Sequence, residues 1–253
     1  MNAPVTETVA APAPGAPPPP APLASRIADT FFTPTRVFEQ FRDGSAPWIG
    51  PVLVSVAVLV LLVALRPLFI SNRQFAEFFL QKAAEMGQQN LPSVDEMEAR
   101  VWLQVGIGAF AGVFWLVIRP LLVGAILAAL YGLLLGGRAP YRSYVAVASH
   151  ALLVSTLGFL VVGALQFATG RVDLALDASL LLGPDARGVA ASVLRAVTPF
   201  SLWATALLAL GGATINRKTG WLGAASLLLA MQLALAAAGG LIMQMMAAKA
   251  GGS

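Results

Sequence analysis

The sequence predicts an all-α fold, a polytopic transmembrane helix bundle, on three observations. Mean hydropathy is +0.78, with 58% hydrophobic and only 11% charged residues, whereas soluble domains carry about 25% charged residues. The apolar residues fall in long blocks almost free of charge, and about 20 such residues cross a hydrocarbon core of about 30 Å. The later blocks are joined by short connectors that are purely basic, as cytoplasmic loops tend to be.

Composition also excludes function classes. With most of its 253 residues in apolar blocks, the chain has no room for a separate soluble domain of about 100 residues or more. Sixteen Lys and Arg stand against twelve Asp and Glu, an excess that in a membrane protein orients loops and meets anionic lipid. No basic tract interleaved with aromatics occurs, which argues against nucleic-acid binding. Cysteine is absent, so disulfides, thiolate metal sites and cysteine nucleophiles are excluded.

Residues 1–24 are rich in Pro and Ala and contain no aromatic residue. Such a segment buries too little surface to offset the entropy of ordering, so a disordered tail is expected. It has neither a basic start nor an apolar centre, so it is not expected to be a cleavable signal peptide. Thr33 is placed to cap a helix with Pro34 at its first position, and Gly44 to end it. Phe38 and Phe41 share one side of 34–43, with Arg36, Glu39 and Arg42 toward the other. This segment reads as an interfacial helix lying in the headgroup region.

The first span covers 48–65, opened by Trp48 and closed by Arg66-Pro67. A second amphipathic helix, 72–86, repeats Phe75, Phe78, Phe79, Ala83 and Met86 at helical spacing and is expected to skim the membrane. Ser93-Val-Asp-Glu96 is a capping box with acids in the first turn. No helix breaker follows until Gly106, so this helix is expected to run on into the stretch from Val101 to Gly137.

That stretch sets the parity of the chain, since its one charge is Arg119, directly before Pro120. A hairpin at Arg119-Pro120 would have to turn between Ile118 and Leu121 with no Gly, Asn, Asp or Ser. One long helix kinked at Pro120 fits better. On that reading 94–114 lies along the membrane, 115–136 crosses it, and Arg119 snorkels to the interface as an anchor. Spans at 145–168, 197–215 and 221–243 follow, and 247–253 is a short tail. Five spans with the N-terminus inside put both basic connectors, Gly137 to Arg142 and Asn216 to Thr219, in the cytoplasm; six spans, and four spans or a re-entrant arrangement, remain the alternatives.

Catalytic, cofactor and metal signals are weak throughout. All twelve carboxylates lie in the tail, the interfacial segments or the loops, whereas ion-coupled transporters usually hold an acid at depth. His150, the single histidine, lacks partners in the spans for a metal site and reads as a hydrogen-bonded structural residue. Asp173 and Asp177 read as a solvated loop face, and an enzyme would need them to converge with Asp185. No P-loop, dinucleotide fingerprint or His-Glu-x-x-His motif occurs. No catalytic residue, cofactor or metal is therefore expected, and the chain is read as non-enzymatic.

The spans do carry helix-packing chemistry. Gly124, Ala128, Gly132 and Gly136 repeat every four residues, as do Ser226, Ala230, Ala234 and Ala238. Small-residue ridges let helices approach closely, either within the bundle or in a homo-oligomer. Gln104, Gln166, Gln232 and Gln244 are expected to bond between helices.

The order Phe31-Phe-Thr-Pro-Thr-Arg-Val-Phe38, then Trp48-Ile-Gly-Pro51, resembles the start of bacterial members of the Yip domain family (Ypt-interacting protein, or Yip-one, domain). Tyr144 to His150 and Phe200-x-x-Trp203-x-x-x-Leu207-Leu-x-x-Gly211, with Lys218 and Ala224, continue the resemblance. It implies about five spans and a cytoplasmic N-terminus for a Yip-like membrane domain over 25–246. Eukaryotic members are linked to Rab GTPases and vesicle traffic, while bacterial members have no firmly assigned activity. The Asp-Leu-Tyr-Gly-Pro stretch of the eukaryotic group is missing, so GTPase binding is not carried over.

These readings lead to a non-enzymatic multi-pass protein of the cell (inner) membrane that organises membrane or recruits partners. Its expected partners are the lipid bilayer and a membrane protein or a second copy of the chain. The competing reading is a transporter or channel component, which a continuous polar cavity around His150, Gln104 and Gln232 would favour.

Overall fold

A computed structural model describes residues 21–42, 47–85, 88, 90–182, 188–218 and 220–251. The expected tail before residue 21, the helix stop at Gly44 and the contribution of Met86 lie outside the described residues. Every regular element described is helical, as the sequence predicts.

Among the described residues, four helical stretches are long and apolar enough to cross a membrane: Ile49–Phe69, Val101–Leu134, Tyr141–Thr169 and Trp221–Met246. In chain order the elements begin with α1 (Leu23–Phe32), α2 (Pro34–Glu39) and α3 (Ile49–Phe69). Helices α4 (Asn72–Glu85), α5 (Val94–Ala99) and α6 (Val101–Ala128) follow, α6 continuing as a π-helical segment over Ala129–Leu134. Helix α7 (Tyr141–Ala151) passes through Leu152 into α8 (Leu153–Thr169) as one crossing stretch. Helix α9 (Gly188–Arg195) meets α10 (Pro199–Ile215) at a bend of 62°, the geometry of a broken fifth span or of a re-entrant loop. Helix α11 (Trp221–Gly251) completes the chain.

Contacts between neighbours show which ends lie together. At one end, the Ala139 N–H and Tyr144 OH both donate to Asn216 Oδ1, at 3.2 and 3.1 Å, and Arg42 Nε donates to the Thr214 carbonyl at 3.2 Å. At the other, Phe69 stacks on Phe167 with ring centroids 4.7 Å apart, and the Arg66 guanidinium lies 4.8 Å from the centre of the Phe75 ring. Helix α2 and the connectors after α6 and α10 therefore share one end, and α4 and α5 lie with the loop after α8 at the other.

The most buried stretch is α7, where every residue from Ser143 to Ala151 is buried. It has few large side chains, which lets α6, α10 and the N-terminal helices close around it. The main core joins Leu127 and Tyr131 of the α6 stretch to Val147 and Val154 of α7–α8 and to Leu207 and Ala213 of α10. A small second cluster, Ala76, Met97 and Val101, seals α4 and α5 onto the start of α6.

Two expectations about the path of the chain are corrected. The Ser93–Glu96 capping box forms, with Glu96 N–H donating to Ser93 Oγ at 3.3 Å and Ser93 N–H to Glu96 Oε2 at 3.1 Å. The helix it starts nevertheless ends at Ala99, and from Val101 one apolar helix runs through Pro120 to Leu134. The segment 94–114 is thus α5 followed, after a break at Arg100, by the first half of α6. A capping box sets where a helix begins, while its length depends on what it packs against.

The second correction concerns 34–43. Helices α1 and α2 form a hairpin that enters the bundle instead of lying on it. Leu23 packs under Gly50, the Phe31 ring sits 5.7 Å from Trp203 in an edge-on arrangement, and Arg42 returns to Thr214. Trp203 and Thr214 are separated by about 16 Å of helix, roughly half the hydrocarbon thickness. Thr33, expected to cap α2, instead donates its hydroxyl to Asp29 Oδ1 at 2.8 Å, tying the hairpin turn.

Candidate functional site

The hairpin buries Phe38 and Phe41 among the helices. Both were expected to anchor in the headgroup region; they are 0% and 1% exposed within the chain itself. Phe38 fills the space over Gly211 beside Val147, and Phe41 lies 4.6 Å from the His150 ring centroid. An apolar helix face has the same pattern whether lipid or protein covers it, so only the fold distinguishes the two.

His150 is fully buried, and its Nδ1 lies 2.8 Å from the Ala146 carbonyl, one turn back on α7. Its Nε2 has no partner among the described residues. The neighbouring Arg26 is 5% exposed and donates from its guanidinium to the Pro47 carbonyl at 3.1 Å. No group of three or more His, Asp or Glu side chains among the described residues is arranged to hold a metal ion.

On the opposite side of α7, a small enclosed space lies between α3, α6 and α8. Arg119, Ser55, Ser149, Ser155 and Thr156 contribute its polar lining. Its volume is about 10 Å³, room for about one water. Ser55 and Thr156 bond to each other across the helices at 2.7 Å. Arg119, expected as an interfacial anchor, stands near the middle of the continuous Val101–Leu134 helix and turns toward these hydroxyls.

The small-residue ridges divide. A Cβ on Gly124 would stand 3.0 Å from Val145 Cα, so α6 and α7 touch backbone to backbone there. Ala128 packs against the main core. Gly132 and Gly136 have nothing within 4 Å of a built Cβ, and Gly136 has a left-handed φ of 63°, the conformation of a helix stop. Ala230 and Ala234 lie exposed on the outer face of α11. Those four residues are thus removed from the internal packing expected of Gly124 and Ala128. Gly211 and Gly212 take their place, receiving Phe38 and the Tyr131 ring.

Gln232 accepts from Thr205 Oγ1 at 3.1 Å and donates to the Ala196 carbonyl at 2.8 Å, closing the break between α9 and α10. In the loop after α8, Arg171 forms two bonds to Asp173, at 3.0 and 2.7 Å, and this guanidinium holds the carboxyl below the usual carboxylate range. Asp177 accepts from the Ser179 N–H and hydroxyl. The two described loop acids are thus engaged locally, and Asp185 lies outside the described residues.

Asn216 is the structural residue that sequence reasoning missed. It accepts from Ala139 and Tyr144 and donates from Nδ2 to the Gly212 carbonyl at 2.8 Å. In the sequence it is legible only as an asparagine closing an apolar block, the ordinary sign of a helix end.

Comparisons with known proteins agree with this architecture. The family model described as the Yip1 domain matches residues 28–243. The chain is also similar to a protein of Bacillus subtilis (strain 168) named Membrane protein YknW, 30% identical over 195 residues, covering 76% of this chain and 80% of that protein. No solved structure matches. A family match over residues 28–243, most of the chain, places the chain in the Yip1 domain family.

Proposed function

We propose that the chain is a non-enzymatic integral membrane protein that organises membrane or recruits partners, seated in the cell (inner) membrane with its N-terminus in the cytoplasm. The observation that carries this reading is the tight packing around the buried polar residues of the bundle. The polar space beside Arg119 has a volume of about 10 Å³, and His150 is sealed beneath Phe41. Gln232 spends its amide on Thr205 and Ala196. The roomier groove, about 480 Å³, opens on the outside between α9 and α11. The local bonding of Asp173 and Asp177 supports a chain without a converged acid centre.

The partners on this reading are the bilayer and either another membrane protein or a second copy. Ala230 and Ala234, outward on α11, offer a small-residue surface for close helix approach. The transporter or channel reading is tested directly by reconstituting the chain in liposomes. Vesicles with and without protein are expected to hold proton and potassium gradients equally well. Dissipation in proportion to protein content would overturn the proposal.

A further inference from the structure

At the end of the bundle marked by Asn216, two connectors are pinned together. Because Asn216 accepts from Ala139 and from Tyr144, the segment carrying Arg138 and Arg142 is held against the segment carrying Arg217 and Lys218. Arg217 takes a left-handed φ of 54°, a tight turn closed by Lys218 N–H donating to the Ala213 carbonyl at 2.9 Å. All four basic side chains are exposed, and neither connector contains a carboxylate. At the same end Arg42 of α2 pairs with Glu39 at 3.3 Å, outside the two connectors. The opposite end differs in its own loops. There Arg73 pairs with Glu77 and Asp95, at 3.4 and 3.1 Å, and Arg171 pairs with Asp173.

Next to the unmatched cations the surface is apolar. Leu133 and Leu134 precede Arg138 and are 84% and 71% exposed; Leu222 follows Lys218 and is 66% exposed. Fixed cations directly beside outward leucines match an anionic headgroup with its acyl chains, and a soluble phosphate would use only the cations. We propose that this rim is a binding site for anionic phospholipid, with Arg138, Arg142, Arg217 and Lys218 holding the headgroup phosphate and Leu133, Leu134 and Leu222 lying against the chains. Asn216 sets the spacing of the cations by tying the two connectors.

The test uses the purified full-length chain, delipidated in detergent and titrated with phosphatidylglycerol or phosphatidylcholine, with bound lipid read by native mass spectrometry. The wild type is expected to retain phosphatidylglycerol preferentially. Each cation removed is expected to lower that preference about fivefold, the effect of one basic residue near an anionic surface. R138Q/K218Q therefore loses most of it, and R138Q/R142Q/R217Q/K218Q essentially all. R138K/R142K/R217K keeps the charge and is expected to retain the preference; this variant guards against reading misfolding as lost binding. R73Q/R171Q, at the opposite end, is expected to leave it unchanged. Full preference in R138Q/K218Q, equal loss in R73Q/R171Q, or displacement of bound lipid by equimolar inorganic phosphate would each overturn the proposal.

Discussion

At the scale of single residues, glycines with the same spacing have different work. Gly124 admits the Val145 backbone, whereas Gly132 faces open space. Gly124→Ala is expected to lower stability by about 1–3 kcal/mol, because backbone yields less readily than a side-chain tip. Gly132→Ala is expected to leave the unfolding midpoint in detergent unchanged or slightly raised. Phe38→Ala removes a fully buried ring and is expected to cost about 3–5 kcal/mol in the same measurement. The Asp173 carboxyl gives a pH signature. Its folded value lies below the ordinary one because of Arg171, so the pair contributes fully above the ordinary carboxylate range and is lost as pH falls through the lowered value. Hydrogen-exchange protection in the loop, taken relative to the intrinsic rate at each pH, is expected to fall on acidification in the wild type, and Asp173→Asn is expected to remove that dependence. None of these distinctions is legible in the sequence, where the small residues of each ridge look alike.

At the scale of elements, the N-terminal hairpin and α6 carry the main revisions. The sequence marks both correctly as helical, including Pro34 at the start of α2 and the Ser93 box. Their depth follows from partners far along the chain. Phe38 needs Gly211 beneath it, and the span through Arg119 needs Ser55 and Thr156 alongside. The absence of cysteine from the sequence makes a direct check clean. Phe110 is 76% exposed on the first half of α6. Phe110→Cys in membranes is expected to resist a membrane-impermeant maleimide, because lipid covers it, while Arg138→Cys in the connector reacts from one side of the membrane. Rapid labelling of Phe110→Cys would restore the interfacial assignment of this segment.

For the whole molecule, the order of the spans makes a topology. Reporters fused in the N-terminal tail, at Ala139 and at Thr219 are expected on one side of the membrane, and a reporter at the C-terminus on the other. A C-terminus on the side of the tail would remove the broken α9–α10 span from the count. The membrane class, the number and order of the apolar blocks and the basic connectors were legible in the chain, because hydropathy and charge are local properties that the bilayer reads directly. The resemblance carried by Phe31–Phe38, Trp48–Pro51 and Phe200–Gly211 likewise reached the family that the matching model spans. The inward turn of Phe38 and Phe41, the closure around His150, the outward placement of Ala230 and Ala234 and the Asn216 tie emerged only from the tertiary structure. In a lipid-solvated protein, apolar residues cover both the core and the outer surface. Which of them meets a neighbour is decided by close fit between distant segments.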